Sequence, residues 1–195
     1  MSKVYTGASM SIDGYISGPD ASGFEHLFKW YSSGDIEVPT GDPKMTLRMT
    51  QASVDRWNRV LEETGSLVVG RRLYDYTNGW GGRHPMDLPV VVLTHEPPTE
   101  HTDSFVFVTE GIEAAIAKAR ELAGDKVVGL NSGTIASQAL DAGLIDEIWV
   151  DLAPVILGEG TPFFSGLATK PVALEGPLEV IEGKDVTHLR YRVAK

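Results

Sequence analysis

A chain of 195 residues is long enough for one domain, and 42% apolar with 23% charged residues is an ordinary globular composition that excludes a disordered chain. The net charge of −10, from 17 basic and 27 acidic residues, argues against nucleic acid binding through a basic face. With no cysteine, disulfides and thiolate zinc sites are excluded.

The opening segment MSKVYTGASMSIDGYI has a single lysine and no long apolar run, which is not the pattern of a signal peptide. No stretch approaches the ~18 apolar residues of a membrane span, so the expectation is a cytoplasmic protein. Val4 to Ile12 is short, apolar and partly β-branched and ends at Asp13-Gly14, which predicts a first strand and a turn. Tyr15 to Gly23, rich in Gly, Ser, Asp and Pro, reads as a loop. Phe24, Leu27, Phe28 and Tyr31 are spaced for a helical turn or two. Ser32 to Lys44 lacks periodicity and reads as a long loop, of the kind that is usually functional or mobile.

Gln51 to Glu63 predicts a helix with Val54, Trp57, Val60 and Leu61 on one face and Gly65 as its C-terminal cap. Ser66 to Gly70 is a short buried strand, and Arg71 to Tyr76 opens a second helix. Leu88 to Thr94 and Phe105 to Val108 are strands, Ile112 to Ala123 is a helix ended by Gly124, and Lys126 to Leu130 is a strand. A helix over Gly133 to Ala142 stops at Gly143, a strand follows over Glu147 to Val155, and Ile156 to Pro162 is a glycine turn. Val172 to Ile181 and Val186 to Val193 flank Glu182-Gly183-Lys184-Asp185 as a terminal antiparallel hairpin. Alternating strands and helices predict an α/β domain spanning 1–195, with a mainly parallel sheet covered on both faces and the hairpin at its edge.

The strand-to-helix turns carry the chemistry. Gly70-Arg71-Arg72 closes a buried strand and opens a helix, where backbone N–H groups and guanidinium forks suit a phosphate; the bland alternative is a tight turn with two solvated arginines. Leu93-Thr94-His95 ends another strand with a hydroxyl and an imidazole, although a surface histidine in a loop reads equally well. Asn131-Ser132-Gly133-Thr134 is a turn of small residues that lets amides approach a pyrophosphate, or a helix cap and nothing more. In an open parallel sheet, ligands gather outside the carboxyl ends of the strands, so the turns point to one site if their strands run side by side.

Other chemistries find little support. His26, His84, His95, His101 and His188 show no metal-ligand spacing, and there is no Gly-x-Ser-x-Gly elbow for a serine hydrolase. Trp57, Trp80 and Trp149 read as core or pocket wall. Asp146 and Glu147 read as the close of a turn and the start of a strand.

Residues 142–164, AGLIDEIWVDLAPVILGEGTPFF, strongly resemble the RibD C-terminal-like reductase domain of bacterial riboflavin biosynthesis, in the dihydrofolate-reductase-like superfamily. Residues 11–20, SIDGYISGPD, Val68 to Asp75, and Pro89 to Pro97 are similar to that family's opening loop, VxGRRxxD segment and VVLTHxPP segment, in the same order, with Phe24 to Thr50 as the part left out. The resemblance implies a dihydrofolate-reductase-like α/β fold, NADPH as cofactor, a small-molecule substrate, and a homodimer without nucleic acid or membrane partners. It implies that Gly70, Arg71 and Arg72 bind cofactor phosphates, with Leu93, Thr94 and His95 beside the adenosine 2′-phosphate. Ser132, Gly133, Thr134 and Ile135 would lie along the pyrophosphate, and Ala8, Ile12, Gly14, Tyr15 and Ile16 would border the nicotinamide. Trp30, Trp57 and Trp80 are candidate walls for a flat substrate.

The chain departs from the family pattern at two places. Relatives carry Gly-Gly where this chain has Asn131-Ser132, and in folate reductases that pair joins through a cis bond, which costs other residues about 3 kcal/mol. Ungapped spacing from Gly70 puts the folate reductases' substrate-binding carboxylate at Val54, with Asp55 beside it. One residue is about 100° around a helix, so Asp55, the candidate proton donor, does not simply substitute. Folate itself is thereby disfavoured as substrate; a pyrimidine, pteridine or flavin ring is the expectation, with a non-catalytic ligand-binding module as the alternative.

Overall fold

Valine-rich segments alternating with amphipathic ones fold, in the computed structural model, into a sheet with helices on both sides; the structure describes residues 2–99 and 104–194, and His101 lies outside them. In chain order the elements are β1 (Val4–Ser11), β2 (Tyr15–Ser17), α1 (Phe24–Leu27), β3 (Ile36–Pro39), β4 (Thr46–Met49), α2 (Gln51–Glu63), β5 (Thr64–Gly70) and α3 (Arg71–Tyr76). There follow β6 (Val90–Leu93), β7 (Phe105–Val108), α4 (Ile112–Ala123), β8 (Val127–Asn131), α5 (Thr134–Asp141), β9 (Glu147–Ala153), β10 (Thr161–Pro162), β11 (Leu174–Gly183) and β12 (Val186–Val193). Short 3₁₀ turns cover Pro19–Ala21, Lys29–Ser32 and Asn78–Gly82.

The main sheet has 8 strands in the order β11-β12-β9-β1-β8-β5-β6-β7. From β9 to β7 every neighbouring pair is parallel, whereas β12 runs antiparallel to β9 and β11 antiparallel to β12. This is the mainly parallel mixed sheet with a terminal hairpin that the alternation predicts.

Period-two burial along β5 assigns its two faces. Val68 enters the cluster made with Ile116 and Ala119 of α4 and Ala136 and Ala139 of α5, while Leu67 and Val69 join Tyr74 of α3, Val90, Val92 and Phe105 on the other side. Complete burial of Ile116 contributes about 1.5–3 kcal/mol to this core. A further apolar cluster gathers Val54 and Trp57 of α2 with Trp30, Val38, Leu47, Met49 and Val186.

Between the start of β9 and α2 lies a polar stack. Tyr5 and Trp149 are parallel at 3.7 Å, and the guanidinium groups of Arg190 and Arg56 stand 4.4 and 5.1 Å from the Trp149 ring. Burial would raise the Glu147 carboxyl, but Arg190, Trp149 and Lys3 bond to it at 2.6, 2.9 and 3.2 Å and hold it below the usual carboxylate range.

Three expectations require correction. Gly65 is not a helix cap: Thr64 leaves α2 in extended conformation and the chain passes straight into β5. Its lack of a side chain serves packing, because a Cβ there would stand 2.6 Å from the carbonyl oxygen of Ala123. Ser32 to Lys44 is not all loop, since Ile36–Pro39 pairs with Thr46–Met49 in a small antiparallel sheet. Only Ile36 and Val38 alternate before Pro39 interrupts, too short a pattern to read as a strand. Likewise, Tyr15–Ser17 and Thr161–Pro162, expected within a loop and a glycine turn, pair with each other. Such short strands are created by the tertiary approach of two segments rather than by local preference. Among the described residues, no helix is long and apolar enough to cross a membrane.

Candidate active site

The parallel order brings the chemically distinctive turns to one edge. Gly70 stands opposite Leu93 in the β5–β6 register, and on the other side of β5, Val68 stands opposite Leu130 of β8. The carboxyl ends of β8, β5 and β6 are therefore consecutive along the sheet, at the edge where a parallel α/β sheet binds its ligand. Two tips also lie close together: a Cβ on Gly70 would lie 3.5 Å from Cγ2 of Ile135.

Each tip is built differently. At β5 the chain turns directly into α3, and Arg71 folds back so that its Nε donates to both oxygens of Asp75 at 2.7 and 2.9 Å. Its Nη1 donates to the Glu96 carbonyl at 2.5 Å and, weakly, to the Thr94 hydroxyl at 3.4 Å. Thr94 is buried and donates to the same carbonyl at 2.8 Å, so Arg71 and Thr94 shape the turn after β6. Arg72 and His95 are exposed, and neither makes a hydrogen bond or ion pair among the described residues.

After β8, Ser132 is buried, 3.4 Å from the Thr6 hydroxyl of β1, and Gly133 takes φ 88°, ψ −144°. No side chain caps α5, which leaves its first N–H groups open at this edge. The cis bonds among the described residues precede Pro171 and Pro177, and Asn131–Ser132 is trans.

The loop after β1 closes against this turn. A Cβ on Gly133 would lie 3.8 Å from Cδ1 of Ile16 and 3.9 Å from Cγ2 of Thr161. Gly14 accepts from the Phe163 amide at 2.9 Å. Asp13 accepts from the Ser11 hydroxyl at 2.6 Å and from the amides of Leu157 and Gly158 at 3.1 and 2.7 Å. The Ser11 hydroxyl and those two amides hold the Asp13 carboxyl below its ordinary range. Ala8 and Ile16 are half-buried against the main core, Tyr15 is half-buried in β2, and Ile12 is 57% exposed. Thr161 and Asp13, which sequence reasoning passed over, thus join the residues it singled out. Asp13 had a legible signal, an acidic residue beside Gly14 at a strand end, but its partners lie 144 and 145 residues away.

The candidate substrate walls separate. Trp30 and Trp57 share the α2 cluster, whereas Trp80 packs against Phe105, with its ring 4.6 Å from His84. Asp55 lies on the exposed face of α2 and accepts from Gln51 Nε2 at 2.7 Å, while Val54 beside it is buried. The polar side chains that α2 buries are Ser53 and Arg56.

Ser53 belongs to a constellation that the spacing of histidines gave no reason to expect. His188 of β12 is fully buried, its Nδ1 2.6 Å from Asp151 Oδ1 and its Nε2 3.0 Å from the Ser53 hydroxyl. Asp151 is in register with His188 on one side and with Ser9 on the other, and the Ser9 hydroxyl accepts from Trp30 Nε1 at 3.1 Å.

The RibD C-terminal domain family model matches residues 2–181. A curated relative, an uncharacterized protein of Bacillus subtilis named YwjB, is 24% identical over 106 residues, which are 54% of this chain and 61% of the relative. The match thus spans less than two thirds of that relative's length. A solved structure from Shewanella, named for riboflavin biosynthesis, superposes with TM-score 0.71 at 21% identity, covering 99% of both chains. Dihydrofolate reductase from Enterococcus faecalis, complexed with NADP(H), superposes with TM-score 0.57 at 15% identity over 99% of this chain and 97% of that one. The fold is dihydrofolate-reductase-like.

Proposed function

The chain belongs to the RibD C-terminal domain family, and from that premise we propose that it is an NADPH-dependent reductase acting on a small pyrimidine- or pteridine-like ring. The reaction type is that of a 5-amino-6-(5-phosphoribosylamino)uracil reductase or a pterin or flavin reductase. The observation that carries the reading is the row of adjacent strand tips, with a glycine at two of them, an uncapped helix at one, and an unpaired arginine at the rim. These residues fit a dinucleotide. Gly70 and Gly133 leave its phosphates room for close approach, the start of α5 offers N–H donors, and Arg72 and His95 supply a separate polar corner for a 2′-phosphate.

NADPH, when bound, supplies the hydride. The chain's own part is positioning: Ile16 and Thr161 give a small, largely apolar border beside Gly133, Ala8 lies on β1 nearby in sequence, and the Asp13 clamp holds the loop after β1 in place. Arg71 is already committed to Asp75 and Glu96, so its contribution is to hold the β6 turn in place, and phosphate recognition passes to Arg72. A homodimer is part of the same proposal, and gel filtration with light scattering tests it.

Titration with NADPH, followed by quenching of the tryptophans, tests cofactor binding. The expected result is saturable quenching, and no binding at about millimolar cofactor overturns the reading. A panel of pterins, aminouracils and quinones at saturating NADPH then separates the reductase from a ligand-binding module. Loss of the reduced nicotinamide absorbance supports the first, and binding with no oxidation supports the second.

A further inference from the structure

We propose that Asp151 is the carboxylate that receives the ring N–H donors of the substrate, in place of the acid that folate reductases carry on the helix corresponding to α2, and that His188 is its positioning residue. The identity of the ring as an acceptor rests on the reductase reading; the carboxylate's role as a ring-binding group does not.

Asp151 sits in the carboxyl-terminal half of β9, and its side chain is 22% exposed. One oxygen is taken by His188, and Oδ2 has no hydrogen bond among the described residues. No arginine or lysine pairs with it there. Arg56 faces Glu179 at 3.9 Å, and Arg190 is shared by Glu147 and Glu63 at 2.6 and 3.3 Å. A carboxylate held at the end of a buried imidazole, with one oxygen open and no cation beside it, is an acceptor without its donor.

The rest of the constellation fixes that oxygen rather than competing for it. With Asp151 ionised, His188 donates from Nδ1 and its Nε2 accepts from the Ser53 hydroxyl, which sets the tautomer. Trp30 closes the ring edge-on at 5.0 Å and reaches Ser9, the register neighbour of Asp151. Tyr31 leans against Trp30 at 4.2 Å with its ring tilted by 47°, and burial, with the charge of Asp151 added, keeps its phenol protonated far above the usual range. Tyr31, half-buried against the buried Trp30, thereby supplies an aromatic edge beside the carboxylate for a flat ring.

A serine nucleophile is the other reading of Ser, His and Asp in a row, and the structure opposes it. Ser53 is 1% exposed, and a Cβ on Gly183 would lie 2.7 Å from its hydroxyl, so β11 covers the serine and the open end of the row is Asp151. A carboxylate on a strand facing a ring amidine makes the same paired hydrogen bonds as one on a helix, and it explains how Val54 stands where the acid is expected.

The test is calorimetric titration of the intact chain, without NADPH, with 2,4-diaminopyrimidine, which takes a proton from solvent at N1 on pairing with a carboxylate and then presents its ring N–H and the neighbouring amino group as adjacent donors. The wild type is expected to bind it, and Asp151→Asn to weaken binding about 10- to 100-fold, the loss of a charge-assisted hydrogen bond. His188→Ala is expected to lose affinity likewise, and His188→Asn, whose amide can still donate to Asp151, to recover most of it at equal thermal stability. Where Asp151→Asn does not fold, Asp151→Glu keeps the charge and displaces the oxygen, with the same sense of change expected. Equal affinity in wild type and Asp151 variants, or no binding by the wild type, overturns the assignment. A parallel NADPH titration keeps the two readings apart: ring binding that depends on Asp151 in a chain that ignores NADPH supports this proposal and overturns the reductase.

Discussion

The amide of Gly133 donates to the carbonyl of Phe163 at 2.8 Å, and Gly133 and Phe164 form a parallel bridge. The turn after β8 is thus tied to the segment after β9, and Gly133 does it at φ 88°, ψ −144°, a conformation that L side chains rarely adopt. Its surroundings are roomy, so the cost of Gly133→Ala is conformational and not steric. The expected loss is about 1–3 kcal/mol of stability in urea unfolding, with weaker NADPH binding alongside.

Arg71 and Arg72 are neighbours with different work. Arg72→Ala is expected to lower NADPH affinity about tenfold, to reduce its salt dependence, and to leave the melting temperature unchanged, because the exposed side chain has no partner among the described residues. Arg71→Ala releases Glu96 and Asp75 and is expected to lower both affinity and melting temperature. Titrations at two salt concentrations, with thermal melts of each variant, check the difference.

Gly65→Ala puts a methyl group 2.6 Å from the Ala123 carbonyl oxygen and 2.7 Å from its Cα. Both are backbone atoms at the end of α4 and cannot rotate aside. The expected destabilisation is about 1–3 kcal/mol by overpacking, read from the denaturation midpoint at unchanged m-value.

His84 gives a pH dependence. Its Nδ1 accepts from the Met86 amide at 3.1 Å, its ring lies against Trp80, and burial pushes its pKa down to about 4. The unfolded chain protonates this histidine near pH 6.5, so it binds more protons than the native state between those values. The contribution of neutral His84 is therefore complete above about pH 6.5 and lost as the pH falls toward about 4. His84→Asn keeps an acceptor for Met86 without the charge, and its stability is expected to fall less over that window. Denaturation at several pH values, with Trp80 fluorescence as a local reporter, measures it.

Much of this was legible in the residues. Helices α2 and α4 repeat apolar residues at helical spacing for more than two turns, and the valine runs of β5, β6 and β8 end at Gly or hydroxyl residues, so both the elements and the row of tips could be read. The β3–β4 pair and the β2–β10 pair were not, because each strand is only two to four residues long and exists through its partner. His188 escaped for a similar reason. In sequence it is one histidine in an alternating strand; strand register sets it beside Asp151, 37 residues away, and the packing of α2 on the sheet sets it beside Ser53, 135 residues away. The exposed position of Asp55 follows from helix geometry, and the buried side of α2 is predicted through Val54 and Trp57 without their polar neighbours Ser53 and Arg56.

The placement of β8 has a consequence for how the molecule comes to exist. The chain lays down β5, β6 and β7 outward in sequence and then returns to insert β8 between β5 and β1. Before that insertion β1 and β5 share no neighbour, and the sheet is two unjoined pieces, each with an unpaired edge. β8 is the keystone, and its own tip is one of the adjacent strand tips at the candidate site. The proposed dinucleotide site therefore depends on a long-range closure of the sheet, because β8 brings its own tip beside strands laid down far earlier in the chain.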